Sequence, residues 1–274
     1  MKILLTERHV SEETPIALTN AGFEVFSPKE EIEGVHEFDR TALLATIKDV
    51  QPDILVCGFK FKLDKELLDL APIKEIFTRT TGYDHIDLEY CKEKGIEVIN
   101  LKGEELGEVV ATAEWTFLNM GMLLRKTNHE LKGKTLGIIG YGRLGKMMEK
   151  YARAFQMKVL HYDKNDHHFD GLMSNLDYLL ADSDIVSLHI TADEENRNFM
   201  NSERFAQMKR GGWFINSSRD WLVDSDALAW AKKNILTDEW SDFPEHRGGK
   251  TIESSKKTET ILVNKLIQWK KQQL

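Results

Sequence analysis

The stretch TLGIIGYGRLGKMMEKYARAFQMKVLHYD, residues 135–163, restricts what this chain can fold into more than any other. An apolar run leads into Gly140, Gly142 and Gly145, a helical stretch follows, and a second apolar run ends at Asp163, 18 residues beyond Gly145. Glycines at this spacing allow a sharp turn from strand to helix, a close approach of backbone to a pyrophosphate, and tight packing of helix on strand. An acid ending the second strand accepts hydrogen bonds from ribose hydroxyls and repels a 2′-phosphate, which favours NAD over NADP. A lone GxGxxG is weak evidence; the strand–turn–helix–strand setting is what makes this one specific.

The rest of the chain fits the same pattern. Before residue 103, short apolar runs (KILLT, FEVFSP, PDILVCG, IKEIFTRTT, IEVINL) alternate with helical stretches closed by Gly22, Pro72 and Gly95. Strands this apolar, separated by helices, indicate a parallel sheet covered on both faces. A single long helix is expected over 104–126, where Leu106, Val109, Ala113, Phe117, Met120 and Leu124 recur at three- and four-residue steps. A second alternating series starts at KTLGIIG and continues through DIVSLHI and GWFINSS to the helix DSDALAWAKKN. The simplest architecture is two doubly wound parallel-sheet α/β units joined by the long helix.

Composition limits the partners. A net charge of −8 disfavours phosphate backbones and anionic membranes, and the basic clusters at Lys256–Lys257 and in KLIQWKKQQL read as solvated helix faces, so neither nucleic acid nor membrane is expected. Cys57 and Cys91 form no metal-binding spacing, and Cys57 sits in an apolar run as a reduced core thiol, consistent with a cytoplasmic protein. His167 and His168, flanked by Asp166 and Asp170, form a cluster, but adjacent histidines in a loop point apart, so no metal is expected there.

A second constellation follows the strand GWFINSS, where Arg219 stands at the C-terminal end. Strand C-termini face the ligand crevice of an open parallel sheet, and an arginine there can hold a carboxylate with two parallel hydrogen bonds. The competing reading is a surface arginine capping loop carbonyls. Near the C-terminus, His246 lies in DEWSDFPEHRGGKT among four carboxylates.

Taken in order, GYDHIDLEYCKEKGIEVIN, VVATAEWTF, ELKGKTLGIIGYGRLG, SDIVSLHI, INSSRDWLVDSDAL and HRGGKT resemble the D-isomer-specific 2-hydroxyacid dehydrogenases. The resemblance implies a Rossmann NAD-binding domain, 104–244, inserted in a flavodoxin-like substrate domain built from 1–103 and 245–274. It implies NAD as cofactor, a small 2-oxo or 2-hydroxy acid as partner, and a homodimer. Carried over by position, the Arg143 and Leu144 amides would meet the pyrophosphate beside Gly140, Gly142 and Gly145. Asp163 would hold the ribose, and Asp238 is grouped with these cofactor-binding residues. The loop at Gly82 and Tyr83 would offer amides to the substrate carboxylate. Arg219 would bind substrate carboxylate and carbonyl, and His246 would exchange a proton with the substrate oxygen.

The chain departs from the family pattern in identifiable places. Phe243 occupies the position of the glutamate that orients the histidine; Asp242 and Glu245 are neighbours but not replacements in register. Only 27 positions separate Arg219 from His246, and a strand expected after ALAWAKKN is shortened or missing, because only ILT precedes Asp238. Thr191 replaces a proline after His189, Trp115 a histidine, and Gly58–Phe59 an arginine–serine pair near the substrate, with Lys60 as a substitute charge. The departures leave two rivals to an active enzyme. One is an inactive NAD(H)-binding paralogue acting as sensor or assembly subunit, and the other a shortened paralogue that dimerises with an intact partner through the long helix.

Overall fold

The computed structural model describes residues 1–7, 11–27, 39–107, 109–165, 175–241 and 248–273. The chain divides into two compact units: Met1–Val109 with Ile252–Leu274, and Val110–Thr251.

In the first unit, β1 (Lys2–Leu5), α1 (Glu13–Asn20), β2 (Glu24–Phe26), α2 (Arg40–Val50), β3 (Ile54–Cys57), α3 (Lys65–Leu68), β4 (Glu75–Thr78), α4 (Leu88–Lys94) and β5 (Glu97–Ile99) alternate along the chain. The strands form a parallel sheet in the order β2-β1-β3-β4-β5, the flavodoxin-like arrangement. Helix starts are set by side-chain caps: Asp39 accepts from the Ala42 amide, Asp64 from Leu67 and Asp87 from Tyr90. Gly95 closes α4 in the left-handed conformation at φ +70°. Every residue of β3 is buried, because helices cover both faces of the sheet.

The second unit contains α5 (Ala111–Lys126), β6 (Thr135–Ile139), α6 (Arg143–Ala154), β7 (Lys158–Tyr162), α7 (Leu176–Asp182), β8 (Ile185–Leu188), α8 (Ser202–Gln207), β9 (Gly212–Asn216), α9 (Ser225–Asn234) and β10 (Leu236–Ser241). Its parallel sheet runs β10-β9-β8-β6-β7, and β6, β8 and β9 are wholly buried. The C-terminal helix α10 (Ile252–Gln272) returns to the first unit, where Leu262, Val263 and Leu266 join the core around Ile3, Leu5 and Phe77.

Two expectations need correction. The helix expected over 104–126 is a 3-10 turn, Gly103–Leu106, followed by a separate helix that begins at Ala111. Leu106 and Val109 pack in the core of the first unit, whereas Ala113 and Phe117 pack in the core of the second, so one straight helix does not serve both. Gly107 and the β-branched pair Val109–Val110 mark the break. The strand thought shortened or missing is present as β10, with six residues parallel to β9. Its sequence, LTDEWS, has neither an apolar run nor a clean alternation. An edge strand with only Leu236 buried needs neither, because its neighbour's ladder fixes the backbone.

Candidate active site

The second unit gathers its polar loops at the C-terminal edge of its sheet. The three glycines do three different jobs there. Gly140, at φ +94°, turns the chain directly after β6; a Cβ on it would lie 2.6 Å from the His189 carbonyl carbon, in the backbone that follows β8. Gly145 lets α6 sit down on the strand, for its Cβ would come within 2.3 Å of the Gly140 carbonyl oxygen. Gly142 is the opposite case: the position of its missing Cβ has no atom within 4 Å. It is the N-cap of α6 and, having no side chain, makes no cap of its own where the first-turn amides of Arg143 and Leu144 begin. Open backbone at the positive end of a helix dipole is where a pyrophosphate binds. These residues fit a dinucleotide.

Asp163 stands immediately beyond β7. Its Oδ2 accepts the Tyr141 amide at 2.8 Å and its Oδ1 the Asn165 amide at 3.0 Å, which fixes the carboxylate beside the glycine turn. A carboxylate has about four acceptor positions, so these two bonds leave capacity for ribose hydroxyls. Lys164 is paired with Glu195 from the loop after β8. Tyr141 stacks on His161 with ring centroids 3.9 Å apart and donates its hydroxyl to Glu149 on α6, tying the turn to both neighbouring elements.

The loops after β8 and β9 are also linked. His189 donates its backbone N–H to the Ile139 carbonyl at 2.7 Å, and its ring lies 2.8 Å from Ser187 Oγ. Burial pulls its pKa down to about 4, so the imidazole is neutral at physiological pH, held between the Ser187 and Ser217 hydroxyls. The Ser218 hydroxyl donates to the Ile190 carbonyl at 2.9 Å. Asn216 clamps the chain around Arg219: its Oδ1 accepts from the Ser218 amide and its Nδ2 donates to the Arg219 carbonyl, both at 2.9 Å. Arg219 is partly buried and donates through Nη1 to the Ser218 carbonyl at 3.1 Å. That bond caps a loop carbonyl, as the competing sequence reading has it, yet the residue stands on the ligand edge. Asn216 and Ser218 escaped the sequence reading, since a lone Asn and Ser at a strand end carry no distinguishing pattern.

Asp238 stands apart from this group. It lies in the body of β10, level with Trp213 near the start of β9, and Lys126 of α5 holds its carboxylate at 2.7 Å. Burial works against ionisation, but the Lys126 hydrogen bond brings its pKa below the ordinary carboxylate range. The β10 residue level with Asn216 at the C-terminal edge is Ser241. Asp242, Phe243, Glu245, His246 and the cluster at 166–170 lie outside the described residues.

In the first unit, the loop after β4 carries Gly82 and Tyr83. Thr80 Oγ1 donates to the Gly82 carbonyl at 2.8 Å, and Asn100 Nδ2 donates to the Thr81 carbonyl at 2.7 Å. Counting protons assigns the rest of the network. Thr80 has spent its hydrogen on Gly82, so it accepts from Thr78 at 2.7 Å; Thr78 must then accept from His85 Nε2 at 3.2 Å. His85 therefore carries its proton on Nε2, and a buried relay ending at Gly82 sets the loop's shape.

The second unit is thus a dinucleotide-binding domain of the Rossmann class, and the first a flavodoxin-like α/β domain. Residues 103–239 match the family described as D-isomer specific 2-hydroxyacid dehydrogenase, NAD binding domain. A glyoxylate reductase of Thermofilum pendens is 33% identical over 222 residues, 71% of this chain and 64% of that protein. A hydroxypyruvate reductase of Thermotoga maritima is 32% identical over 225 residues, 73% of this chain and 71% of its own length. The fold is also that of the NAD+-bound 3-phosphoglycerate dehydrogenase of Entamoeba histolytica, with TM-score 0.85, 22% identity, and 100% and 96% of the two chains covered. The chain belongs to the D-isomer-specific 2-hydroxyacid dehydrogenase family, and its cofactor is NAD. No described helix is long and apolar enough to cross a membrane.

Proposed function

We propose that this chain interconverts a small 2-oxo acid and a D-2-hydroxy acid by hydride transfer with NAD. The observation that carries the reading is the convergence of an open Gly142 backbone, a fixed Asp163 and Arg219 on one sheet edge of the second unit. The bound nicotinamide supplies or accepts the hydride. The Arg143 and Leu144 amides hold the pyrophosphate and Asp163 the adenosine ribose. Arg219 grips the substrate carboxylate and polarises its carbonyl. In the first unit the Gly82 and Tyr83 amides are candidate donors to a substrate carboxylate, and His246 is assigned the proton on the substrate oxygen by the resemblance.

The same reading makes the protein a cytoplasmic homodimer. Leu118 and Met122, four residues apart on α5, are 64% and 69% exposed, an apolar stripe that a second copy would cover. Light scattering coupled to size exclusion checks this, and Leu118→Glu should yield monomer.

The test of activity is NADH oxidation with glyoxylate and hydroxypyruvate, in wild type and Arg219→Gln. Turnover in the wild type that falls roughly a hundredfold or more in the variant supports the reading. The rival, a non-catalytic NAD(H)-binding paralogue, is favoured by Phe243 in the glutamate's place. It is the outcome if NADH binds tightly and neither acid is reduced.

A further inference from the structure

The first unit has a sheet edge of its own, and a carboxylate already occupies it. Glu7 follows β1, Gly58 and Lys60 follow β3, and Arg79 follows β4, three adjacent strands. The strand order reverses between β1 and β3, the point at which open parallel sheets place ligands. Glu7 Oε1 accepts the Gly58 amide at 3.0 Å and the Lys60 amide at 2.7 Å, while Oε2 accepts from Arg79 Nη2 at 3.0 Å. Two convergent N–H groups and a guanidinium are the donor set that recognises carboxylate or phosphate. Glu7 is largely withdrawn from water, 12% exposed, and Arg79 is partly buried.

Gly58 is a condition of this arrangement. A Cβ there would lie 2.5 Å from Glu7 Oε2 and 2.9 Å from Arg79 Nε. The remaining space is small: a cavity of about 20 Å3, lined by Thr14, Cys57 and Glu259 among others, holds roughly one water. A phosphate cannot enter while the Glu7 side chain is in place. Arg79 stands three residues before Gly82, on the segment to which the proposed function assigns the substrate carboxylate.

We propose that Glu7 is a built-in occupant of an anion cradle formed by the Gly58 and Lys60 amides and Arg79, and that it limits the substrate to 2-oxo acids with a single anionic end. Phosphate-bearing 2-oxo acids are excluded because their second anion meets a filled site. The substrate clause rests on the proposed function; the cradle is a property of the first unit alone. The fold does not decide the point, since it is shared with proteins named for hydroxypyruvate, which carries no phosphate, and for 3-phosphoglycerate, which does.

The experiment compares the full-length wild type, Glu7→Ala, and Glu7→Ala with Arg79→Gln, in titration calorimetry and thermal melts with inorganic phosphate at constant ionic strength. Glu7→Ala should bind phosphate roughly tenfold or more tighter than wild type, and the added Arg79→Gln should abolish the gain. Phosphate binding equal in wild type and Glu7→Ala, or a gain that survives Arg79→Gln, overturns the cradle. If Glu7→Ala does not fold, Glu7→Gln removes the charge and keeps an acceptor for the amides; phosphate affinity in it no higher than wild type has the same consequence. For selectivity, kcat/KM is measured with hydroxypyruvate and with its 3-phosphorylated form. Their ratio should move toward the phosphorylated acid by roughly tenfold in the variant, and an unmoved ratio overturns the substrate clause. If NADH binds but no form reduces either acid, the dehydrogenase reading fails, and the phosphate titration alone decides the cradle.

Discussion

Replacing Gly142 and Gly145 by alanine, one at a time, should separate folding from cofactor binding in a motif usually treated as one unit. At Gly145 the new Cβ would sit 2.3 Å from the Gly140 carbonyl oxygen and 3.1 Å from Ile138 Cγ2. A carbon and an oxygen in contact need roughly 3.2–3.5 Å, so helix and turn must part by about 1 Å, and overpacking of that size costs about 1–3 kcal/mol. In a domain of this size each kcal/mol lowers Tm by roughly 2–4 °C or somewhat more, so Gly145→Ala should melt several degrees below wild type without any cofactor present. At Gly142 the Cβ meets no atom within 4 Å, and φ is −77°, which alanine accepts. Gly142→Ala should therefore melt close to the wild-type temperature, because the smaller freedom alanine loses on folding is offset by its poorer fit as an N-cap. That empty space is where the pyrophosphate would approach, and losing one charge-assisted hydrogen bond costs about 1.5–3 kcal/mol, or roughly ten- to a hundredfold in Kd for NADH. Thermal melts and titration of tryptophan fluorescence with NADH measure both quantities. A Gly142→Ala protein that binds NADH like wild type would refute the assignment of the α6 N-terminus as the pyrophosphate site. A Gly145→Ala protein with unchanged Tm would refute the packing argument.

Further predictions concern charge. Glu195→Gln releases Lys164 beside Asp163, so NADPH should bind roughly fivefold tighter while NADH affinity changes little, as read by fluorescence titration; an unchanged NADPH Kd would mean the pair plays no part in cofactor choice. His189 has its pKa depressed to about 4 by burial, against roughly 6.5 unfolded. The unfolded chain therefore binds the extra proton first, and this contribution is full above about pH 6.5 and lost as pH falls toward 4, on the order of 3 kcal/mol at most. Urea unfolding at pH 7 and pH 5 should show that loss, and His189→Gln should flatten it; equal slopes in the two proteins would refute the assignment. Thr80→Val breaks the relay to the Gly82 carbonyl, so KM for the 2-oxo acid should rise several-fold with NADH affinity unchanged, and Thr80→Ser should restore it.

Local chemistry carried most of the second unit. The glycine spacing, the apolar runs of β6, β8 and β9 and the acid at Asp163 form one ordered strand–turn–helix–strand pattern along the chain, so a reader of the sequence meets them in order. Where sequence patterning misled, the reason was long-range. β10 has the composition of a loop and is a strand because β9 presents an unpaired ladder beside it. The long helix breaks near Val109 because its two halves belong to different cores.

From the sequence alone came the class of the cofactor domain, the family, and the positions of Gly140, Gly142, Gly145, Asp163 and Arg219, because each sits at a strand end that the hydrophobic pattern already locates. Tertiary structure alone decided that Asp238 pairs with Lys126 inside a strand rather than joining the ligand edge. It alone brought Glu7, Gly58 and Arg79 together, residues separated by 51 positions or more from Glu7. A parallel sheet places successive strand ends side by side, and no periodicity within the chain encodes which polar residues will meet there.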